Sequence, residues 1–189
     1  MSTVPMGSDP LRSEEVDPGC GVAHGHSPAD PAPDRVLVAV FGSPVAAALL
    51  RLAAECGYRP VLVEPDAGRE VTGLPDGTVR VDSVPAVPDE LAAAGADVVV
   101  CDHHREELGV VLRDALTRPV RWVGVMGNPH HEGPHVAALA ALGVGDDEVA
   151  RVHRPIGLNI GSRAPVEIAV STLAGLLADR NGRPGGFDF

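Results

Sequence analysis

Histidine and carboxylate side chains that follow apolar runs are the residues of this chain best suited to chemistry. Asp102 and His104 follow one such run, and His131 and His135 follow the next. Imidazole and carboxylate groups bind metals, move protons and hold polar ligands. The i, i+4 spacing of His131 and His135 is that of paired metal ligands on a helix, but a glycine and a proline between them interrupt a helix. We therefore favour exposed histidines over a metal site and assign no metal ligands.

The turn after the first apolar run contains only part of a phosphate-binding fingerprint. A dinucleotide site requires G-x-G-x-x-G, because the glycines let the backbone turn tightly and approach a pyrophosphate at a helix N-terminus. Residues 41–46 contain one glycine, Gly42, and Pro44 removes a backbone donor. Glu64 ends the second apolar run, where an acid would bind ribose hydroxyls. The pattern indicates a Rossmann topology with an altered phosphate loop, and NAD or NADP stays an alternative ligand.

Apolar runs alternate with helical patterns from Arg35 onward, and this alternation predicts the fold. Strands are predicted over 35–41, 60–63, 78–81, 97–101 and 120–124. Helices are predicted over 45–56, 86–94, 106–116, 135–142 and 165–179. This order is typical of an α/β fold with an open, mostly parallel Rossmann-like sheet and helices on both faces. Such a sheet binds its ligand beyond the carboxyl ends of its strands, where the loops are 42–45, 64–66, 102–105 and 124–131.

Composition and charge restrict the class of partner. The 189 residues include 15 basic side chains, all arginine, and 26 acidic ones, for a formal net charge of −11. Nucleic acids and anionic membranes repel a polyanion, which argues against both as main partners. No apolar run approaches the roughly 18 residues of a spanning helix, and no signal peptide is recognised. We therefore expect a cytoplasmic protein.

The two ends of the chain and its cysteines complete the predicted organisation. The first 34 residues contain six prolines and six acids and have no periodic apolar pattern, so we expect a disordered acidic, Pro-rich leader over 1–34. The Rossmann domain is predicted over 35–182 and a flexible tail over 183–189. Three widely spaced cysteines argue against a disulfide framework. Cys56 and Cys101 lie among apolar residues and are expected to be buried, inert thiols.

The stretch 153–161 reads H-R-P-I-G-L-N-I-G and is followed by P-V-E-I-A-V-S over 165–171. Ordinary surface loops are more polar, so we expect this stretch to lie against the sheet and present backbone donors. It resembles the XdhC/CoxI family of xanthine dehydrogenase accessory proteins, which usually reads H-x-P-I-G-L-D-I-G and P-E-E-I-A-V-S here. The sequence W-V-G-V-M-G over 122–127 is similar to the family's Y-V-G-x-I-G, and C-D-H-H over 101–104 to its T-H-D-H. The resemblance covers about residues 35–180, the family's C-terminal Rossmann-like domain only.

The resemblance implies an accessory role rather than catalysis. Family members bind the molybdenum cofactor (molybdopterin), protect it while its sulfurated form is made, and deliver it as chaperones to an apo-hydroxylase of the xanthine or carbon monoxide dehydrogenase type. Partners implied are that molybdenum hydroxylase and a second copy of the chain in a homodimer. No residue is assigned a catalytic role. The candidate cofactor-binding residues are Gly42, Ser43, Glu64, His104, Gly127, Asn128, His153 and Asn159.

Several positions depart from the family pattern and keep two other functions open. Phe41, Ser43 and Ala46 stand where the family has glycines, Asn159 replaces an acid, and Ala164 replaces a threonine that would cap the last helix. The family's N-terminal domain is not recognised in the leader, so we expect a stand-alone, shortened accessory protein. The alternatives are an NAD(P)-binding oxidoreductase and a degenerate, non-catalytic interaction module.

Overall fold

The structure is a computed structural model that describes residues 22–23, 34–127 and 133–185. Contacts divide the chain into two units, Met1–Ala32 and Pro33–Phe189, and the architecture below is that of the second unit. Asn128, His131 and most of the predicted leader and tail lie outside the described residues. The expectations for those residues and the predicted domain bounds therefore stay predictions.

Six parallel strands form one sheet in the order β3-β2-β1-β4-β5-β6. The strands are β1 (Arg35–Val40), β2 (Tyr58–Val63), β3 (Val79–Val81), β4 (Asp97–Val100), β5 (Trp122–Val125) and β6 (Val152–His153). Strands β4 and β5 are buried along their whole length, which explains why their sequences show no alternation of polar and apolar residues. Strand order reverses between β1 and β4, so a crevice is expected beyond their carboxyl ends. The predicted open, parallel α/β sheet is confirmed.

Helices cover both faces of this sheet, as predicted. They are α1 (Pro44–Glu55), α2 (Asp89–Ala93), α3 (Leu108–Leu116), α4 (Pro134–Ala140), α5 (Asp146–Val149) and α6 (Pro165–Arg180). Alternate side chains of β1 enter two cores, because successive residues of a strand point to opposite faces. Val36 and Val38 pack in the core that includes α3. Leu37 and Ala39 pack in the core formed with α1 and α6.

The structure differs from the predicted elements at three places. The predicted helix 86–94 is divided into a 3₁₀ turn (Val84–Ala86) and the short α2, because Pro88 has no N–H to continue the first turn. The four-residue α5 and the two-residue β6 were not predicted, since neither is long enough to show a period. Across the described ranges 22–23, 34–127 and 133–185, no helix has the length and apolarity needed to cross a bilayer.

Candidate functional site

A cavity of about 820 Å³ opens beyond the carboxyl ends of the strands. The loops after β4 and β5 form one side, and the stretch 155–163 with the first turns of α6 forms the other. Val45, at the beginning of α1, completes the lining. The volume falls within the range of about 300–1,000 Å³ that small-molecule sites occupy. The cavity therefore lies where an open parallel sheet binds its ligand.

The wall formed by residues 155–161 is fixed directly against α6. Gly157 has φ of +84°, and a Cβ atom there would lie 3.0 Å from the backbone carbon and oxygen of Ser171. The N–H of Leu158 donates to the Ser171 carbonyl at 3.1 Å, and the Ser171 hydroxyl donates to the Leu158 carbonyl. From the helix side, a Cβ at Gly175 would lie 2.8 Å from the Gly157 Cα. The stretch thus packs chiefly on a helix, while Ile156 reaches the sheet beside Gly124.

The N-terminus of α6 lies at the cavity and is capped from outside the helix. Ala164 at the N-cap has no side-chain acceptor, but the Ser162 hydroxyl oxygen accepts the Ala164 N–H at 3.0 Å. The same hydroxyl donates to the Glu167 carboxylate in the first turn. Ser162 and Arg163 both line the cavity. This corner combines the positive end of a 16-residue helix and the Arg163 guanidinium, which attract anions, with the Glu167 carboxylate, which partly offsets that attraction.

The loop after β4 brings a carboxylate and two imidazoles to the cavity. The N–H of His104 donates to Asp102 Oδ1 at 2.9 Å, and the ring centroids of His103 and His104 are 4.0 Å apart. Burial, followed by the neighbouring His104, lowers the pKa of His103, while a hydrogen bond to the backbone of Met126 acts in the opposite direction. His103 therefore stays neutral at pH 7. His103 was not among the residues selected from the sequence. The only signal for it was that position 103 aligns with the aspartate of the family's T-H-D-H pattern.

Cys101 lines the same cavity as a protonated thiol. Burial, with a smaller contribution from Asp102, raises its pKa to about 12. Its Sγ donates to the Val99 carbonyl at 3.6 Å. Cys56 and Cys101 are both free and partly buried rather than fully buried, and the inertness of their thiols stays a prediction. Within the described part of the chain, no group of three or more His, Cys, Asp or Glu residues could hold a metal ion.

Gly42, Ser43 and Glu64 form a separate cluster that is satisfied by the protein itself. The Glu64 side chain is fully buried and accepts the Gly42 N–H at 2.6 Å and the Asp66 N–H at 2.9 Å. Arg105 also approaches its Oε1 at 3.4 Å. Ser43 caps α1, because its hydroxyl oxygen accepts the Ala46 N–H at 3.1 Å. The carboxylate expected to bind ribose hydroxyls is thus engaged with backbone and arginine groups.

Side chains also fill the space over the turn between β1 and α1. A Cβ atom at Gly42 would lie 2.3 Å from Val71 Cγ2. Phe41 is buried with φ of +71°, and the Arg105 guanidinium carbon lies 4.8 Å from the centre of its ring. Gly42 is therefore required by the close approach of the Val71 side chain. A pyrophosphate would have to displace this packing.

The remaining predicted residues are divided between the cavity and the sheet. His104, Gly127 and Asn159 line the cavity together. The Arg154 guanidinium packs where a Gly127 Cβ would be, 2.6 Å from Nη2. His153 instead stacks on the Trp122 ring, with centroids 5.0 Å apart and planes inclined by 13°. Asn128 is outside the described residues, and the binding role of all eight residues stays a prediction.

Acidification is expected to lower the stability of the folded protein through His103 and His135. His103 is partly buried, and His135 is buried, so the expectation that His135 is exposed was wrong. Burial is the first cause that lowers the pKa of both His103 and His135, with Arg154 contributing at each. Below about pH 6.5 these two side chains bind protons in the unfolded chain more readily than in the folded protein, so protonation favours unfolding. The free energy of unfolding should therefore fall between about pH 7.5 and about pH 5.5. Urea titrations at both pH values measure this loss. It should be smaller in His103→Gln, and an equal loss in the variant would contradict the assignment.

Comparisons with known proteins agree with this fold. The sequence model of the XdhC Rossmann domain matches residues 37–176. An uncharacterized protein of Escherichia coli strain K12, YqeB, is 37% identical over 71 residues, which are 38% of this chain and 13% of YqeB. A crystal structure described as a xanthine dehydrogenase from Bacillus halodurans superposes with a TM-score of 0.59 at 21% identity, over 80% of this chain and 47% of that one. The chain thus spans less than half the length of each, and the structural likeness supports the fold.

Proposed function

The chain belongs to the XdhC family through its Rossmann domain, and from this premise we propose that it binds molybdenum cofactor as cargo. In this proposal it assists maturation of a molybdenum hydroxylase by holding the cofactor and passing it to the apo-enzyme. The cavity of about 820 Å³ at the carboxyl edge of the sheet is the observation that carries the proposal. It is large enough for a pterin with its phosphate and is formed by the loops that show the family motifs.

The lining suits the separate chemical parts of such a cargo. Apolar side chains that line the cavity, such as Ile156 and Met126, can contact the faces of a flat ring. Arg163 and the N-terminus of α6 provide positive potential for a terminal phosphate. The protonated thiol of Cys101 is a weak nucleophile and a weak ligand. The site therefore favours holding a cargo over reacting with it.

The geometry around Glu64 disfavours the oxidoreductase alternative. A dinucleotide site needs free backbone N–H groups for the pyrophosphate and a free carboxylate for the ribose hydroxyls. Here the Gly42 N–H donates to the buried Glu64 carboxylate, so neither group is free. Val71 occupies the approach to the same turn. The interaction-module alternative differs from the proposal only in its lack of a ligand, so a binding experiment separates the two.

Charge reversal at the cavity provides the test. We expect protein purified from a molybdenum-replete host to release pterin, measured by fluorescence after denaturation and oxidation, and NADH fluorescence to stay unchanged on titration. Arg163→Glu should reduce the released pterin by about 5-fold or more, because a helix N-terminus and a cation both act on the phosphate. Arg183→Glu is the matched control, since Arg183 is also exposed but does not line the cavity. Equal pterin in both variants, or none in the wild type, would contradict the proposal.

A further inference from the structure

Asp102 is the carboxylate of the loop after β4 that lines the cavity. Its Oδ1 accepts the His104 N–H at 2.9 Å, which holds the side chain in place without using the second oxygen. In the described part of the chain, no salt bridge involves Asp102. This contrasts with Glu64, which is paired with Arg105 and Arg69. Asp102 thus keeps acceptor capacity for a ligand, since a carboxylate has about four lone-pair sites.

We propose that Asp102 recognises the aminopyrimidine edge of a 2-amino-4-oxopteridine ring, and so selects pterins over 2,4-dioxo rings of the same shape. The inference rests on the proposed function and assigns one residue to one part of the cargo. A pterin has a ring N–H next to its 2-amino group, so two donors point in the same direction. A carboxylate accepts both, whereas the 2,4-dioxo ring has a carbonyl oxygen at the position of the amino group and would be repelled.

The rest of the cavity is consistent with this orientation. The two corners are formed by different elements: Asp102 follows β4, and Arg163 precedes α6. An anionic phosphate is favoured beside Arg163 and disfavoured beside Asp102, so the phosphate of a bound ligand is expected on the α6 side. Asp102 differs from the histidine at this position of the family's T-H-D-H pattern, so the selectivity is a property of this chain.

Equilibrium dialysis with two fluorescent probes tests the assignment. Pterin-6-carboxylate and lumazine-6-carboxylate differ at the 2-position, where the first has an amino group and the second an oxygen. We expect the wild type to bind the pterin about 10-fold more tightly or better, as a hydrogen bond to a charged group contributes about that factor. Asp102→Asn should abolish the preference while keeping the fold, because asparagine also accepts the His104 N–H. Glu106→Gln, the same loss of charge at an exposed position outside the lining, should keep the preference.

The outcomes separate this inference from the proposed function. A preference that survives in Asp102→Asn, or wild-type protein that binds both probes equally, would overturn the role of Asp102 while purified protein still carries pterin. Wild-type protein that binds neither probe and releases no pterin would overturn both. The role of Asp102 is supported if Asp102→Asn loses the preference for the pterin probe over the lumazine probe and Glu106→Gln keeps it.

Discussion

Replacing Gly157 with alanine is expected to lower the free energy of unfolding by about 2–5 kcal/mol and to abolish cargo binding. A residue with a Cβ at φ of +84° costs about 1–2 kcal/mol, and overpacking adds about 1–3 kcal/mol. The new Cβ would meet backbone atoms of Ser171 at 3.0 Å, and a helix backbone cannot move aside. The stretch 155–161 would therefore be displaced from its position on α6. Urea denaturation and pterin release measure the two effects.

Two other glycines separate backbone strain from the clash. Gly143 has φ of +75° and open space at its Cβ position, so Gly143→Ala should cost only about 1 kcal/mol and leave cargo binding intact. Gly175→Ala introduces the same contact from the helix side, with a Cβ 2.8 Å from the Gly157 Cα. We expect it to affect cargo binding as Gly157→Ala does. If Gly157→Ala and Gly143→Ala have the same effect on cargo binding, the contact of residues 155–161 with α6 has no role in the site.

Replacing Asp97 with alanine is expected to cost about 3 kcal/mol of stability while cargo binding by the folded protein is retained. The fully buried Asp97 carboxylate accepts Arg121 Nε and Arg180 Nε, each at 2.6 Å. Its removal leaves two partly buried guanidinium groups without that partner, and breaking a buried ion pair costs about 3–5 kcal/mol. The lower figure applies because Arg121 is 29% exposed. Thermal and urea unfolding of the variant measure the loss.

Asp179 is the control for this network. It accepts Arg121 Nη1 at 2.5 Å but is 41% exposed, so Asp179→Ala should cost less than about 1 kcal/mol. The network lies at the N-terminal ends of the strands, opposite the cavity, because Asp97 begins β4. A similar loss in both variants would show that burial of Asp97 does not determine its contribution. Loss of cargo binding in folded Asp97→Ala protein would contradict its purely structural role.

The sheet was predictable because strands buried on both faces leave a sequence signal. The runs at 35–41 and 97–101 are almost entirely apolar, and each is followed by a helical pattern. β6 has no such signal, since two residues cannot show a period. Its position follows from pairing with β5, where His153 lies opposite Gly124. The helix predicted over 86–94 is divided in the structure, because the apolar period in the sequence continues through Pro88.

The site was only partly predictable, because a motif does not reveal which partner a side chain will find. His104, Gly127 and Asn159 were selected and do line the cavity. Glu64 was selected for its place after β2, but the Gly42 and Asp66 N–H groups and the Arg105 guanidinium already engage both of its oxygens. His153 begins the most characteristic motif, and it stacks on Trp122 because its strand directs it there. Such pairings depend on residues distant in sequence.

The pterin content of the purified protein tests the central claim most directly. The full chain should be expressed in a molybdenum-replete host, purified, denatured and oxidised, with pterin fluorescence and molybdenum measured on the same sample. We expect pterin in the wild-type protein, its loss in Gly157→Ala, and an unchanged amount in Gly143→Ala. Wild-type protein that releases no pterin and binds no added cofactor would contradict the account and leave the interaction module as the function.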